Sequence, residues 1–183
     1  ALANGTDATE RTGHHGISVV SAPNVVIGGE TATPGRAPGN VIAASAAHGV
    51  AITGTPDAPA DGAQVLGSLI GTDRSGTTAR VGGAAAVYLY GAARGAQIGK
   101  AGAGNVVVAG ASGEGNSRGG VWLLDLGEAG GAPDRATVAA NTIGLNAAGS
   151  AVLGEINTGV AVLSDADGGG VADVTVGGLT LAD

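Results

Sequence analysis

The sequence predicts an all-β fold in which parallel strands stack into a solenoid. Three observations predict it: a strand-like slot that returns five times, a second slot that returns between those copies, and a composition dominated by two very small residues. The first slot reads small residue, apolar, any, apolar. Its copies are Gly16-Ile17-Ser18-Val19, Gly49-Val50-Ala51-Ile52, Ala86-Val87-Tyr88-Leu89, Gly120-Val121-Trp122-Leu123 and Gly159-Val160-Ala161-Val162, spaced by 33, 37, 34 and 39 residues. The first and third residues after the small one are always Val, Ile or Leu, while their neighbours range from Ser18 to Tyr88 and Trp122. One fixed apolar face and one free face, alternating with period two, is the pattern of a strand.

The second slot extends the unit. Gln64-Val65-Leu66-Gly67-Ser68-Leu69-Ile70-Gly71 aligns with Thr137-Val138-Ala139-Ala140-Asn141-Thr142-Ile143-Gly144, 73 residues later. The alignment runs on into a turn, where Asp73-Arg74-Ser75-Gly76 matches Asn146-Ala147-Ala148-Gly149. Asp or Asn first and Gly fourth is the signature of a type I turn. A partial earlier copy, Asn4-Gly5-Thr6-Asp7, carries Glu10 where the closing Gly would be. Alternating with these are Gly39-Asn40-Val41-Ile42 and Gly104-Asn105-Val106-Val107, 65 residues apart. The unit is therefore roughly 36 residues in two alternating flavours, and a fixed repeat too long for one strand reads as one coil of a solenoid. The expectation is about five coils, stacked at about 4.8 Å each, forming one domain over residues 1–183 that is a segment or stacking subunit of a longer solenoid.

Composition fits this reading. Gly and Ala number 37 each among 183 residues. Stacked Val, Ile and Leu fill a narrow core without aromatics, and Gly serves corners that need positive φ. Collagen is excluded because Gly has no third-residue period and Pro numbers only six. Charged residues make up 13% and hydrophobic residues 44%, the reverse of a disordered composition. No run approaches the roughly 18 apolar residues of a membrane span, so membrane insertion is not expected. With no Cys there is neither a disulfide framework nor a thiolate metal site. Net charge is −7, with one Lys, Lys100, and scattered Arg, so nucleic acid is not an expected partner. The opening Ala1-Leu2-Ala3 has the small-x-small form of a signal-peptidase site, and Ala rather than Met at position 1 suggests a processed form or a fragment.

The strings Val26-Ile27-Gly28-Gly29, Gly39-Asn40-Val41-Ile42 and Ile70-Gly71-Thr72-Asp73, with the Gly-Val-x-Ile slots, resemble the right-handed parallel β-helix repeats of the pectate-lyase-like superfamily. More narrowly they are similar to repeats of large bacterial surface proteins. The likeness runs from Asn4 to Gly178. It implies the right-handed coil and an extracellular or cell-surface location. That superfamily includes lyases, hydrolases, adhesins and structural stalks, so it specifies fold better than function.

Catalytic patterns fare poorly. Gly13-His14-His15-Gly16 resembles the Gly-His-Gly of polygalacturonase-like enzymes, but the accompanying Asn-Thr-Asp, Asp-Asp and Arg-x-Lys motifs are missing. His15 shares its repeat slot with His48, which reads as a tolerant turn position. Asp7 and Asp73 are equivalent and two coils apart, a separation that would suit a glycosidase pair. Both begin a turn, and Asn146 replaces them in the third copy, so an Asx turn is the simpler role. The Gly clusters open no helix and precede no Gly-Lys-Ser/Thr, which leaves no phosphate loop. Asp165-Ala166-Asp167-Gly168 with Asp173 resembles part of a calcium loop without its closing Glu, and a solvated acidic loop is favoured. No catalytic residue and no cofactor are expected, calcium at these three Asp being the one candidate.

The aromatic residues are the informative feature. Tyr88, Tyr90 and Trp122 are the only three, all on outward positions of the strand slot on consecutive coils, with Leu124 beside them. Such a patch marks a contact surface. Its candidate covers are, in order, a Gly-rich loop such as residues 128–135, a neighbouring subunit or domain, or a stacked sugar ring. Neither terminus carries an amphipathic helix, a Pro-rich stop or a charge run, so the chain is expected either to be a segment of a longer solenoid or to stack through open ends on other copies. The sequence thus points to a non-catalytic structural or adhesive solenoid that self-associates end to end, with a carbohydrate-binding or polysaccharide-cleaving module as the alternative. Ice or mineral binding would need Thr ladders, which the outward residues do not supply.

Overall fold

The computed structural model describes residues 14–81, 83–110, 119–125, 131–164 and 170–177. The chain winds three short strands per turn. The first turn holds β1 (Ile17–Val20), β2 (Val26–Gly28) and β3 (Val41–Ile42). The second holds β4 (His48–Gly54), β5 (Gln64–Leu66) and β6 (Leu69–Ile70). The third holds β7 (Ala85–Gly91), β8 (Gln97–Ile98) and β9 (Val106–Val107). The fourth holds β10 (Gly119–Leu124), β11 (Thr137–Val138) and β12 (Thr142–Ile143), and β13 (Thr158–Leu163) and β14 (Thr175–Val176) begin a fifth. Three sheets run up the stack, with orders β1-β4-β7-β10-β13, β2-β5-β8-β11-β14 and β3-β6-β9-β12. Every strand pairing is parallel. The fold is thus a parallel β-solenoid. Among the described residues it has four complete turns and a two-strand fifth, slightly short of the expected five, because the repeating slot marks only the first strand of each turn.

The repeat register is the structural register. Ile17 pairs with Val50, Val50 with Val87, Val87 with Val121 and Val121 with Val160. Val19, Ile52, Leu89, Leu123 and Val162 form a second column two residues on. Opposite them, Ile27, Val65, Ile98 and Val138 line the second sheet, and Ile42, Ile70 and Val107 the third, all buried in one core. Alanines fill the bend between the first and second sheets, where Ala60, Ala63, Ala93, Ala96 and Ala136 are fully buried. A larger side chain there would force the narrow core apart, which accounts for much of the Ala content.

That bend contains a repeat the sequence reading missed. Asn24, Gly62, Gly95, Arg135 and Asp173 all adopt left-handed backbone, with φ between 55° and 68°. In the first four coils this residue donates its N–H to a carbonyl one coil up, from Asn24 to Asp61, Gly62 to Arg94, Gly95 to Asp134 and Arg135 to Ala172. The Asp61 carboxylate also accepts the Arg94 backbone N–H at 2.9 Å and pairs with its guanidinium at 2.8 Å.

Corner length explains the two flavours. Between the second and third sheets, the first and third coils spend residues 29–40 and 99–105, whereas the second and fourth need only 67–68 and 139–141. The Glu30–Lys100 ion pair spans the short corner lying between the two long ones. After the third strand the second and fourth coils instead extend a loop closed by an antiparallel bridge, Thr72 to Ala79 and Leu145 to Val152. These loops carry the expected turns. Asp73 Oδ1 accepts the N–H groups of Thr77 and Thr78, and Asn146 Oδ1 accepts those of Ser150 and Ala151.

A polar column runs through the same corner. Ser68 N–H donates to Asn105 Oδ1 at 2.9 Å, and Asn105 Nδ2 donates to Val65 O and to Asn141 Oδ1 at 2.8 and 2.9 Å. Asn141 Nδ2 in turn donates to Ile98 O at 2.7 Å. Asn105 is 1% exposed, so these bonds satisfy groups that water cannot reach. The Gly before it is required as well, because a Cβ on Gly104 would overlap the Ala140 carbonyl oxygen.

Two stability predictions follow from depth and from satisfaction. Val87 is 0% exposed and Val162 41% in the same sheet. Val87→Ala should therefore cost about 2–3 kcal/mol and Val162→Ala less than about 1 kcal/mol, measured by chemical denaturation. Asn105→Ala should cost about 2–3 kcal/mol, because it orphans the buried Ser68 N–H, while the Val65 carbonyl keeps the Gly99 N–H; comparable stability to the parent would show that water replaces the side chain.

Candidate contact surface

The outward face of the first sheet is built by alternation. On β7, Val87 and Leu89 point into the core, so Tyr88 and Tyr90 point out, and on β10 Val121 and Leu123 leave Trp122 and Leu124 outward. Register then gathers the four. Tyr88 lies between Ala51 and Trp122, and Tyr90 between Thr53 and Leu124. All four are half-buried. The sequence-derived patch is thus one contiguous area on adjacent strands.

The structure adds partners the sequence did not suggest. His48 stacks on Tyr88, with centroids 4.3 Å apart and planes within 7°. His15 stacks on His48 at 5.2 Å and 8°, His14 meets His15 edge-on at 3.9 Å, and Tyr90 lies 5.8 Å beyond Tyr88. The slot shared by His15 and His48 is therefore more than a tolerant turn position: it carries a run of stacked rings. The run escaped notice because His48 is in register with Ala85, and Tyr88 reaches it from three residues further along β7. His48 Nδ1 accepts the Ala85 N–H at 3.2 Å, while His15 Nδ1 is out of water with no hydrogen-bond partner.

Electrostatics follow from burial. Burial first, then the neighbouring His15 and last His14, push the His48 imidazole down to about 4, against a smaller upward contribution from the Ala85 backbone. Burial and then His14 lower His15 as well. Burial, and then Tyr90, raises the Tyr88 phenol. At neutral pH the His15, His48 and Tyr88 rings are therefore uncharged. Asp73 behaves differently: partial burial pushes it up, but hydrogen bonds from Ser75, Thr78 and Thr77 together outweigh this and hold it below the ordinary carboxylate value. That is the behaviour of a turn cap.

Trp122 has its own seat. A Cβ on Gly119 would fall inside the indole ring, so the ring lies directly over that glycine. Its Nε1–H is sheltered from solvent without an acceptor. Of the loop expected to cover the patch, residues 128–130 lie outside the described residues. Asp134 and Arg135 belong to the corner turn, bonded to Gly95 and Ala172 in the coils on either side.

Asp165 and Asp167, like Asp7, lie outside the described residues. Asp173 is exposed and occupies the left-handed corner position that Arg135 and Gly95 fill in other coils, so backbone conformation accounts for its place. Among the described residues no three His, Cys, Asp or Glu side chains gather into a metal-holding group, and no helix is long and apolar enough to cross a membrane. No protein-family model, curated protein or solved structure matches the chain.

Trp122 is the only tryptophan, so its fluorescence reports this surface alone. Gly119→Ala should displace the indole and shift its emission to the red, with the coil fold retained by circular dichroism. An unshifted spectrum would mean that the ring does not rest on Gly119.

Proposed function

We propose that the chain is a non-catalytic structural or adhesive β-solenoid, at the cell surface or outside the cell, that stacks end to end on further copies. The observation that supports this is the fifth coil. Val162 and Val176 occupy inward slots, in register with the buried Leu123 and Val138, yet are 41% and 56% exposed. Among the described residues nothing lies over them. A coil of the same repeat is the occupant whose Val and Ile columns and strand edges match these slots, since that is what covers every earlier coil. Such a contact is heterologous and does not close, so it propagates as a filament. Membership of the pectate-lyase-like superfamily, the right-handed coil and the surface location rest on the resemblance of the repeat strings.

The half-exposed rings support a second reading, a carbohydrate-binding or polysaccharide-cleaving module. It is the weaker one, because Tyr88 already stacks on His48. Electron microscopy of the purified chain across a concentration series, with Val162→Lys/Val176→Lys in parallel, separates the two. Filaments that lengthen with concentration and vanish in the double variant are expected. Short rods at every concentration would overturn the filament reading. Saccharide affinity abolished by Trp122→Ala would favour the second.

A further inference from the structure

We propose that the stacked rings of His15, His48 and Tyr88 form an acid-sensitive latch that holds the start of β4 against β7 while His48 is neutral and releases it when His48 takes up a proton. The proposal does not depend on filament assembly.

The geometry sets the protonation state. His48 Nδ1 accepts the Ala85 N–H, so that nitrogen must present a lone pair and the neutral ring carries its proton on Nε2. Protonation turns the acceptor into a donor aimed at another donor, and the ring has to turn away. Ala85 is the partner of His48 in the β4–β7 register, so the bond lost is at the first position of the longest strand pairing in the molecule. The neighbours make this worse. From the first coil His15 lies face-on to His48 and His14 edge-on to His15, so further protons place like charges within a few ångströms of one another. From β7 the facing titratable groups are Tyr88 and Tyr90, and from β10 the neighbour of Tyr88 is Trp122; all are uncharged in acid. Among the described residues no carboxylate contributes to the field at His48. The same pairing ties the first coil down, because Ala47 N–H donates to His14 O and Gly16 N–H to His48 O. Release of His48 therefore loosens the first coil along with the start of β4.

The direction in pH follows from the lowered folded value. Above about 6.5 the ring is neutral whether the latch is open or closed, so pH has no effect. Between about 6.5 and about 4 the open state binds a proton the closed state refuses, and closure weakens as pH falls. Below about 4 both states are protonated and the dependence ends.

Amide hydrogen exchange on the whole chain from pH 7.5 to 4.5, corrected for intrinsic rates, tests this. The opening constant at Ala85 and Gly16 should rise up to tenfold per pH unit below about 6.5, while Val107 and Val121 stay level. His48→Gln, which keeps an acceptor and cannot titrate, should flatten the Ala85 profile. Should that variant unfold at neutral pH, imidazole NMR titration of the parent decides instead, with His48 expected to titrate well below 6.5. A pH-independent Ala85 amide, an undiminished slope in His48→Gln, or a His48 that titrates near 6.5 would each overturn the latch.

Discussion

Everything in this molecule depends on in-register parallel stacking. Each coil repeats about 4.8 Å above the last, so every side chain meets the residue of its own slot above and below. A slot therefore has to hold residues that pack on their own kind. Val, Ile and Leu do so in the three inner columns, and Ala does so at the bend, where Ala63, Ala96 and Ala136 are fully buried. An aromatic ring inside would need matching rings or matching gaps in neighbouring coils. The few rings present are accordingly outside, and even there they stack.

The same constraint governs polar groups. Where three sheets meet at corners, the backbone leaves the ladder and exposes donors and acceptors that the next coil covers. The column from Ser68 through Asn105 to Asn141 answers this with side chains whose amides both donate and accept. Asn is suited to such a column because each copy can satisfy the next without charge, which a column of Asp could not do. At the other bend the requirement is conformational instead. Asn24, Gly62, Gly95, Arg135 and Asp173 share a left-handed φ and little else. A non-glycine residue there costs on the order of 1 kcal/mol, which the stacked hydrogen bonds hold in place.

This division explains what was legible in the sequence. The first sheet could be read in full, because its strands reach seven residues and their alternation fixes both faces and the register; Tyr88, Tyr90, Trp122 and Leu124 were placed on one outward surface by that alternation alone. The second and third sheets have strands of only two or three residues, so they showed as short strings such as Val106-Val107, enough to place a coil but not to count strands. The Asp73 and Asn146 turns were legible because the Asx side chain is itself the signal. The left-handed corner was not, since four different residue types, Asn, Gly, Arg and Asp, converge on one backbone angle. The Asn column was half legible: Gly-Asn recurs at Asn40 and Asn105, but Ser68 takes the slot in between. The ring run was missed because stacking joined residues three positions out of register.

The latch and the apolar fifth coil share a consequence of parallel stacking. In a parallel solenoid all strands point the same way, so the stack has a direction. The two ends are therefore chemically different. The histidine cluster sits on the first and second coils, and the uncovered inward valines on the fifth. A head-to-tail contact would therefore join unlike surfaces and keep one polarity throughout an assembly. Among the described residues the stacked histidines lie on the first-coil side, and the fifth-coil valines are indifferent to protons. A change of pH would thus weaken one partner of such a contact while leaving the other intact.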